Sequence, residues 1–413
     1  MPAGFRAGAV AAGIKASGRP DLGVLATAGD LASVGATYTS NRLPAAPVLL
    51  SQRHLQSRDA AGQGRWGRTH AVLSTSGCAN AATWVRGEED QRMLAQTLGA
   101  ALGVASEETL AISTGLIGTR LPVDVLHEPL RQLVDHGLAS TDAALAQLAE
   151  QMCTTDTHAK WASVVIDLPP PDNQGRPVIV TGIAKGVGMI HPQLATMLAL
   201  VLTDATVEPP LLYEMLLRAT DRTWNQLTVD GDTSTNDTVF LIASGASGAA
   251  PVAAGSFEHG ALGRAVQAVA RSLARQQAAD GEGATTLITC QVSGAEDDRQ
   301  ARAAARSVVA SSLVKAAVHG RDPNWGRIAA AIGNAHVDQR AISLREGDLS
   351  IGIAGIPVFA GLPRDFDREA LSRLMDAPEL LIRADLGIGS GTGEAFGCDL
   401  TEQYVLENSA YST

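Results

Sequence analysis

The chain of 413 residues is poor in aromatic side chains, at 4%, and in positive charge, with 32 Lys and Arg against 43 Asp and Glu. A net charge of −11 is the wrong sign for a protein that binds phosphate backbones, so we expect no nucleic-acid partner. No stretch approaches the ~20 apolar residues of a membrane span. The apolar run from Ala7 to Ile14 is too short and too rich in glycine for a signal peptide. We therefore expect a cytoplasmic protein that does not contact a membrane.

Cysteine is also scarce and widely spaced. The four cysteines are Cys78, Cys153, Cys290 and Cys398, and none forms a C-x-x-C pair. This spacing excludes a zinc ribbon and a dithiol redox motif, and it favours buried thiols in a reducing compartment. No metal site is predicted.

Several familiar motifs are absent or broken. The sequence contains no H-E-x-x-H, no G-x-x-x-x-G-K-[ST] and no G-x-S-x-G. The acidic run from Asp230 starts like a calcium loop, but its sixth position is Thr235 and its twelfth is Leu241. In the glycine-rich run from Gly387, the third glycine of a dinucleotide fingerprint is replaced by Thr392, which favours a turn.

What is present is an ordinary globular composition, with 45% hydrophobic and 18% charged residues. Helical periodicity predicts helices over these segments: 145–152, 211–223, 262–273 and 303–318. Strand-like runs occupy 70–74, 163–166, 178–183, 238–243, 285–292 and 349–354. Irregular connections are expected at 168–176 and in HGRDPNWGR around Pro323. Because these elements lack a regular βαβ spacing, the fold class predicted is α+β, in layers, with mixed sheets flanked by helices.

A glycine-rich segment from Lys185 leads to Thr196, which lies in an apolar run near mid-chain. Glycines would allow the backbone to bend so that the Thr196 hydroxyl attacks its own preceding carbonyl. The same pattern, taken alone, also fits a buried threonine at the start of a helix or strand.

Three further segments combine hydroxyl, amide or carboxylate groups. Thr114 and Gly115 place a hydroxyl beside a backbone N–H, the inventory of an oxyanion hole or of an ordinary turn. Segment 153–157 offers hydroxyls and a carboxylate that could cap a helix or hold a polar substrate. Glu282 lies between two glycines, where its carboxylate could reach an ammonium group or belong to a plain turn.

Eight segments in order carry a family resemblance. They are GFRAGAVAAGIK, AISTGLIG, MCTTDT, KGVGMIHPQLATML, VDGDTSTNDT, DGEGATTLI, DPNWGR and YVLENSAYST. Together they resemble the ornithine acetyltransferases, also called glutamate N-acetyltransferases, from Gly4 to Thr413. The resemblance implies an autoprocessing fold, similar in layering to N-terminal nucleophile hydrolases, whose precursor cuts itself before a threonine.

The resemblance implies cleavage between Ala195 and Thr196, which divides the chain into 1–195 and 196–413. Thr196 would then be the nucleophile, and its freed α-amine, with a reference pKa of about 7.7–8.0, the general base. Thr114 and Gly115 would stabilise the oxyanion. The substrate contacts that the resemblance implies are Thr154, Lys185, Thr196, Glu282, Asn408 and Thr413. Lys185 would pair with the substrate carboxylate and Glu282 with an amine.

The reaction implied moves an acetyl group from N2-acetylornithine to glutamate in a ping-pong cycle of arginine biosynthesis, with no metal or bound cofactor. The family also implies an α2β2 assembly of cut chains, and some of its members also accept acetyl-CoA. Three alternatives stay open: a related amidohydrolase or aminopeptidase, an acyltransferase of specialised metabolism with another acceptor, and a non-catalytic binding protein.

The chain departs from the family pattern at three places. Cys78 replaces asparagine, Ala159 replaces proline, and Gln193-Leu194 replaces Asn-Met. We expect the first two to touch loops around the site, so that they bear on substrate preference more than on the chemistry.

Overall fold

The structure is a computed structural model that describes residues 1–168, 177–191, 197–345 and 347–410. Its helices in chain order are α1 (Ala46–Arg58), α2 (Trp84–Leu102), α3 (Val123–Gln132), α4 (Asp142–Met152), α5 (Pro209–Arg222), α6 (Phe257–Ala279), α7 (Asp298–Ala310), α8 (Ser312–His319), α9 (Trp325–Gly333), α10 (Arg368–Leu374) and α11 (Glu402–Ala410). Its strands are β1 (Phe5–Val10), β2 (Leu22–Thr27), β3 (Ala32–Tyr38), β4 (Trp66–Thr69), β5 (Ala71–Cys78), β6 (Thr109–Leu116), β7 (Lys160–Ile166), β8 (Val178–Lys185), β9 (Leu198–Thr203), β10 (Thr238–Ala243), β11 (Leu287–Ala295), β12 (His336–Val337), β13 (Arg340–Ala341), β14 (Ser350–Ile353), β15 (Ile356–Ala360), β16 (Leu362–Pro363), β17 (Glu379–Asp385) and β18 (Gly391–Cys398).

The strands form three larger sheets and one small hairpin. Sheet 1 has the order β1-β2-β5-β6, sheet 2 the order β4-β3-β10-β9-β8-β7, and sheet 3 the order β16-β15-β14-β17-β11-β18. Each contains one parallel pair among antiparallel neighbours: β5 with β6, β9 with β10, and β11 with β17. Mixed sheets flanked by helices confirm the predicted α+β class.

Sheets 1 and 2 share one hydrophobic core, to which α1 and α4 contribute from both sides. Helices α2 and α3 cover the outer face of sheet 1, and α5 and α6 cover the outer face of sheet 2. Strand β9 shows why the layers form. Leu198, Leu200 and Leu202 face the core between the sheets, while Ala199 and Val201 face α5 and α6. A strand buried on both faces needs an unbroken apolar run, and LALVL supplies it.

Helix α6 joins sheet 2 to sheet 3. It packs closely on β8, where a Cβ at Gly182 would lie 2.7 Å from side-chain atoms of Val269 and Leu273. Phe396 of β18 belongs to the same core, and the other face of sheet 3 packs on α7, α8 and α9. The strands and the long helix therefore form a continuous scaffold from which the site loops project.

All six predicted strands are present, as β5, β7, β8, β10, β11 and β14, and three of the predicted helices as α4, α5 and α6. The single helix predicted over 303–318 is wrong. It is interrupted at Ser311, which takes an extended conformation (φ −70°, ψ 112°) and accepts a hydrogen bond from Val314 N as the cap of α8. Apolar periodicity continues through this break, so the pattern did not reveal it.

The connection predicted around Pro323 is partly wrong, because its last residues begin α9 at Trp325. The predicted connection at 168–176 lies, beyond Leu168, outside the described residues. In the part of the chain that the structure covers, no helix is both long and apolar enough to span a membrane.

Candidate active site

Six of the residues singled out from the sequence line one cavity of about 240 Å³. They are Thr114, Gly115, Thr154, Lys185, Glu282 and Asn408. They come from five separate places: the end of β6, the segment after α4, the end of β8, the turn between α6 and β11, and helix α11. The fold thus brings together residues that are almost 300 positions apart in the sequence.

Lys185 is the central cation of the cavity. It ends β8, its side chain is 6% exposed, and its Nζ donates to Thr114 Oγ1 at 3.2 Å and Thr154 Oγ1 at 3.0 Å. Because the Thr114 oxygen accepts from an ammonium, its own hydroxyl hydrogen is left to donate elsewhere. A neighbouring positive charge also strengthens such a donor toward a developing oxyanion.

Asp156 balances the charge of Lys185 from below the cavity. Its Oδ2 lies 3.7 Å from Lys185 Nζ, and its Oδ1 accepts a hydrogen bond from Gly186 N at 2.8 Å. Burial opposes ionisation of this carboxyl, but the charges of Lys185 and Lys160 outweigh it and hold its pKa well below the usual range. Asp156 therefore stays negatively charged and fixes the end of β8.

Gly115 occupies a position where no side chain fits. Its φ is +129°, and a Cβ there would lie 2.3 Å from the carbonyl carbon of Gly77. The pairing of β5 with β6 is irregular at Gly77 and Cys78, where Cys78 faces both Thr114 and Leu116. Such a bulge redirects the backbone at the end of a strand, and here it does so at the cavity wall.

Glu282 also lines the cavity, from the turn between α6 and β11. Its Oε1 accepts from Thr155 Oγ1 at 3.0 Å, and its Oε2 accepts from Asn408 Nδ2 at 2.9 Å. A Cβ at Gly188 would come within 2.3 Å of Glu282 Oε2. The carboxylate is thus held by two neutral donors and has no cation beside it among these contacts.

The segment VDGDTSTNDT supplies a wall that sequence reasoning did not assign. Asn236 lines the cavity, is 7% exposed, and its Nδ2 donates to Ala79 O at 2.7 Å and Ser113 O at 2.9 Å. It ties the loop before β10 to the strand that carries Thr114. The segment was quoted as part of the resemblance, but a contact across more than 120 positions leaves no periodic signal in a sequence.

Asp230 and Tyr404 are further lining residues that the sequence analysis missed. The Asp230 carboxylate accepts from Ile190 N at 2.9 Å, and burial raises its pKa. Burial, with the nearby charges of Asp230 and Glu282, also raises the pKa of the Tyr404 phenol. These groups add a carboxyl and a phenol to the polar lining of the cavity.

Three of the predicted site residues, Ala195, Thr196 and Thr413, lie outside the described residues. The next residue, Met197, is described, and its backbone N donates to Asp237 Oδ1 at 3.0 Å. Asp237 is buried, which raises its pKa well above the ordinary value. The peptide nitrogen that follows Thr196 is therefore held by the neighbour of Asn236, a cavity residue.

The departures from the family pattern fall in different surroundings. Cys78 is buried, donates from Sγ to Thr119 O at 3.3 Å, and directly precedes the lining residue Ala79. Ala159 packs against the core between sheets 1 and 2 instead of lining the cavity. The expectation that both touch site loops is thus met only at Cys78, and Gln193-Leu194 lies outside the described residues.

A larger cavity of about 450 Å³ lies between α6, α7 and sheet 3, but it contains none of the predicted site residues. Two of its arginines face carboxylates, Arg302 with Asp221 at 2.8 Å and Arg222 with Asp298 at 3.6 Å. Nowhere in the described ranges do three or more His, Cys, Asp or Glu side chains come together as a metal site would require. The smaller cavity, which contains the predicted site residues, is therefore the candidate active site.

The smaller cavity combines hydroxyl donors, the buried ammonium of Lys185 and the carboxyl groups of Asp230, Asp232 and Glu282. This set suits an enzyme that binds a small substrate with both a carboxylate and an amine. Thr114 and Gly115, the two residues that would stabilise an oxyanion, also line this cavity.

Comparison with known proteins agrees with this class. The family model described as the ArgJ family matches residues 6–413. The protein named arginine biosynthesis bifunctional protein ArgJ in Thermus thermophilus is 44% identical over 100% of this chain and 99% of its own, and that in Gloeobacter violaceus is 43% identical over 99% and 96%. The chain therefore belongs to the ArgJ family, which confirms the resemblance drawn from the eight sequence segments.

Two solved structures are similar to parts of the chain. The ArgJ structure from Bacillus halodurans is 39% identical, covers 51% of this chain and 98% of its own, and has a TM-score of 0.49. The ornithine acetyltransferase of Mycobacterium tuberculosis, complexed with ornithine, is 38% identical over 47% of this chain and 94% of its own, with a TM-score of 0.40.

Proposed function

We propose that this member of the ArgJ family moves an acetyl group from N2-acetylornithine to glutamate in arginine biosynthesis. The acetyl group would be carried on Thr196 after the chain cuts itself between Ala195 and Thr196. The observation that carries the proposal is the convergence of Thr114, Gly115, Thr154, Lys185, Glu282 and Asn408 on one cavity.

The strand register supports Thr196 as the nucleophile. In the antiparallel pair of β8 and β9, Leu198 is directly opposite the cavity residue Lys185. Thr196 precedes Leu198 by two residues, a span of at most about 7 Å of chain. Because Lys185 Nζ also contacts Thr114 Oγ1, we propose that the Thr196 hydroxyl would act beside Thr114, on a substrate held by Lys185.

The sheet order bears on what a cut at this place would do. Strand β9, which follows the cut, lies between β8, which precedes it, and β10. The pieces 1–195 and 196–413 would therefore remain joined by the hydrogen bonds of sheet 2 and by the hydrophobic cores on its two faces. We propose a pair of interleaved subunits, not two separable domains, with an α2β2 assembly of such pairs.

The proposed chemistry needs only groups of this chain. The freed α-amine of Thr196 accepts the hydroxyl proton as the oxygen attacks the acetyl carbonyl. The oxyanion is stabilised by the Thr114 hydroxyl and the Gly115 N–H, and ornithine leaves after its nitrogen takes up the proton. The amine of glutamate then attacks the acetyl ester, the proton returns to the Thr196 oxygen, and N-acetylglutamate leaves.

The two opposite charges that line the cavity would orient the acetyl donor. Lys185 would pair with the α-carboxylate of N2-acetylornithine, and Glu282 would accept from its free side-chain ammonium. Thr154 and Asn408 lie beside these two charges and would complete the hydrogen bonds. The acetyl group at the α-nitrogen would then lie between the two ends, near Thr114.

We also propose that the enzyme accepts acetyl-CoA as a second acetyl donor. The relatives from Thermus thermophilus and Gloeobacter violaceus are named as bifunctional proteins, which supports a second activity. Both donors would form the same acetyl-threonine, and only the leaving group would differ: ornithine from one donor and coenzyme A from the other.

Product analysis tests the proposal. The purified protein is incubated with N2-acetylornithine, with and without glutamate, and the products are separated by liquid chromatography and mass spectrometry. The proposal predicts N-acetylglutamate only when glutamate is present, with an equal amount of ornithine. Release of free acetate at the same rate in both arms would identify an amidohydrolase. A parallel arm with acetyl-CoA and glutamate tests the second donor.

A further inference from the structure

Lys160 is a lysine that the proposed chemistry does not use, although it lies directly behind the cavity. It is the first residue of β7, and its side chain is 0% exposed. Its ammonium has three N–H donors, and all three have acceptors: Asp280 Oδ2 at 2.6 Å, Asp156 Oδ1 at 2.8 Å and the carbonyl oxygen of His158 at 3.2 Å. A lysine is rarely buried to this extent unless it is paired, and here both partners are carboxylates.

One of these carboxylates leads to the wall of the cavity that carries Lys185. Asp156 accepts from Gly186 N at 2.8 Å and from Thr154 N at 3.2 Å, and it lies 3.7 Å from Lys185 Nζ. Lys160 thus holds the carboxylate that in turn fixes the backbone on both sides of the Lys185 ammonium.

The other carboxylate leads to the part of the cavity wall that carries Glu282. Asp280 follows the last residue of α6 and precedes Glu282 by two residues. That short turn is tightly packed, because a Cβ at Gly281 would lie 2.7 Å from Cys398 Sγ and one at Gly283 would lie 2.5 Å from Tyr404 N. A displacement of Asp280 would therefore be passed on to Glu282.

We propose that Lys160 is a positioning residue that sets the separation between Lys185 and Glu282, and so the length of substrate that the site accepts between its carboxylate and its terminal amine. This inference rests on the proposed function for the roles of Lys185 and Glu282. The Lys160 ammonium donates to both Asp156 and Asp280, so a variant without it loses the contact that ties the wall at Lys185 to the wall at Glu282.

A charge-balanced variant tests this role. Lys160→Met combined with Asp280→Asn removes one positive and one negative charge, and neither Lys185 nor Glu282 is substituted. Donor selectivity is read as the ratio of kcat/KM for N2-acetylornithine to that for N2-acetyllysine, which is one methylene longer. One methylene is typically discriminated by about 10–200-fold. We expect the variant to lower this ratio toward 1, mainly by raising KM for acetylornithine, with a smaller change in kcat.

The matched control is Arg302→Met combined with Asp221→Asn, which removes an ion pair of 2.8 Å between α7 and α5, away from the cavity. It should keep the wild-type ratio even if it lowers the melting temperature by a similar amount. Asp280→Asn alone, which keeps Lys160 and Asp156 paired, should lower the ratio by an intermediate amount, and it decides the question if the double variant does not fold. A wild-type ratio in the folded variants would overturn the role of Lys160.

Calorimetric binding of ornithine and of lysine to the same proteins gives a second measure of the ratio that needs no turnover. If the wild type does not transfer acetyl from acetylornithine to glutamate, the proposed function fails. The role of Lys160 is then judged by the binding ratio alone, and an unchanged ratio in the Lys160 variant would refute it.

Discussion

The ammonium nitrogen of Lys185 lies 3.2 Å from the hydroxyl oxygen of Thr114 and donates a hydrogen bond to it. The two residues are at the ends of β8 and β6, which belong to different sheets. The contact therefore crosses the layers of the fold and joins the residue proposed to bind the substrate carboxylate to the residue proposed to stabilise the oxyanion.

Replacing Thr114 by valine removes the hydroxyl and keeps a side chain of similar shape. Loss of one oxyanion donor typically lowers kcat by about 10²–10³-fold, and we expect a decrease in that range for acetyl transfer, with a smaller change in KM. Thr119→Val is the control, because Thr119 follows on the same segment and its hydroxyl bonds Leu116 O. The measurement is the steady-state kinetics of both variants. Equal kcat values for Thr114→Val and wild type would refute the role of Thr114 as an oxyanion donor.

Gly115→Ala is expected to abolish activity and to destabilise the protein. Its φ of +129° is strained for alanine, which costs about 1–3 kcal/mol, and the new Cβ would lie 2.3 Å from Gly77 C. Gly118→Ala shares a positive φ, +84°, but its Cβ would meet nothing within 4 Å. Denaturant unfolding should therefore show a larger loss of unfolding free energy at Gly115, and equal losses would argue against the close approach of β5 and β6.

Glu282→Gln keeps most of the shape and removes the charge. A hydrogen bond to a charged group is worth about 1.5–3 kcal/mol, so KM for N2-acetylornithine should rise by about tenfold or more. N-acetylnorvaline lacks the terminal amine, and its kinetics should hardly change. The exposed Glu128→Gln serves as the control. An equal effect on both donors would show that Glu282 does not bind the amine.

The pKa of Asp156 predicts a pH dependence of stability. Its folded-state pKa lies below the unfolded value of about 3.9, so its contribution is complete above that value and is lost as the pH falls toward the folded-state pKa. The free energy of unfolding should thus decrease with falling pH below about 4. Asp156→Asn should be less stable at pH 7 and show a flatter dependence in the acid range, measured by urea unfolding at a series of pH values. An unchanged acid slope would contradict the lowered pKa.

The strands that the sequence predicted and those that it missed differ in composition. The run LITCQV of β11 is rich in β-branched and apolar residues and was predicted, whereas β3, with the sequence ASVGATY, contains glycine and two alanines, which have low β propensity. Every residue of β3 is buried because other layers of the fold pack around it, and local composition does not encode that packing.

The resemblance assigned individual residues to the candidate site, whereas the helices and strands were predicted only from local patterns in the sequence. Lys185 and Glu282 line one cavity, and their roles in binding substrate stay predictions, while Asn236 and Lys160 were given no role. Both act on residues distant in sequence, Asn236 on Ser113 and Lys160 on Asp280. Such contacts follow from how the sheets stack, and a single sequence offers no pattern that reveals them.

The acyl-threonine mechanism is tested by the intact mass of the protein under denaturing conditions, before and after addition of N2-acetylornithine without glutamate. We expect two pieces, 1–195 and 196–413, and the second should be heavier by one acetyl group after the addition and return to its original mass when glutamate is added. Thr196→Ala should remain one uncut chain. An uncut wild-type chain, or an acetyl group found on a residue other than Thr196, would contradict the acyl-threonine mechanism.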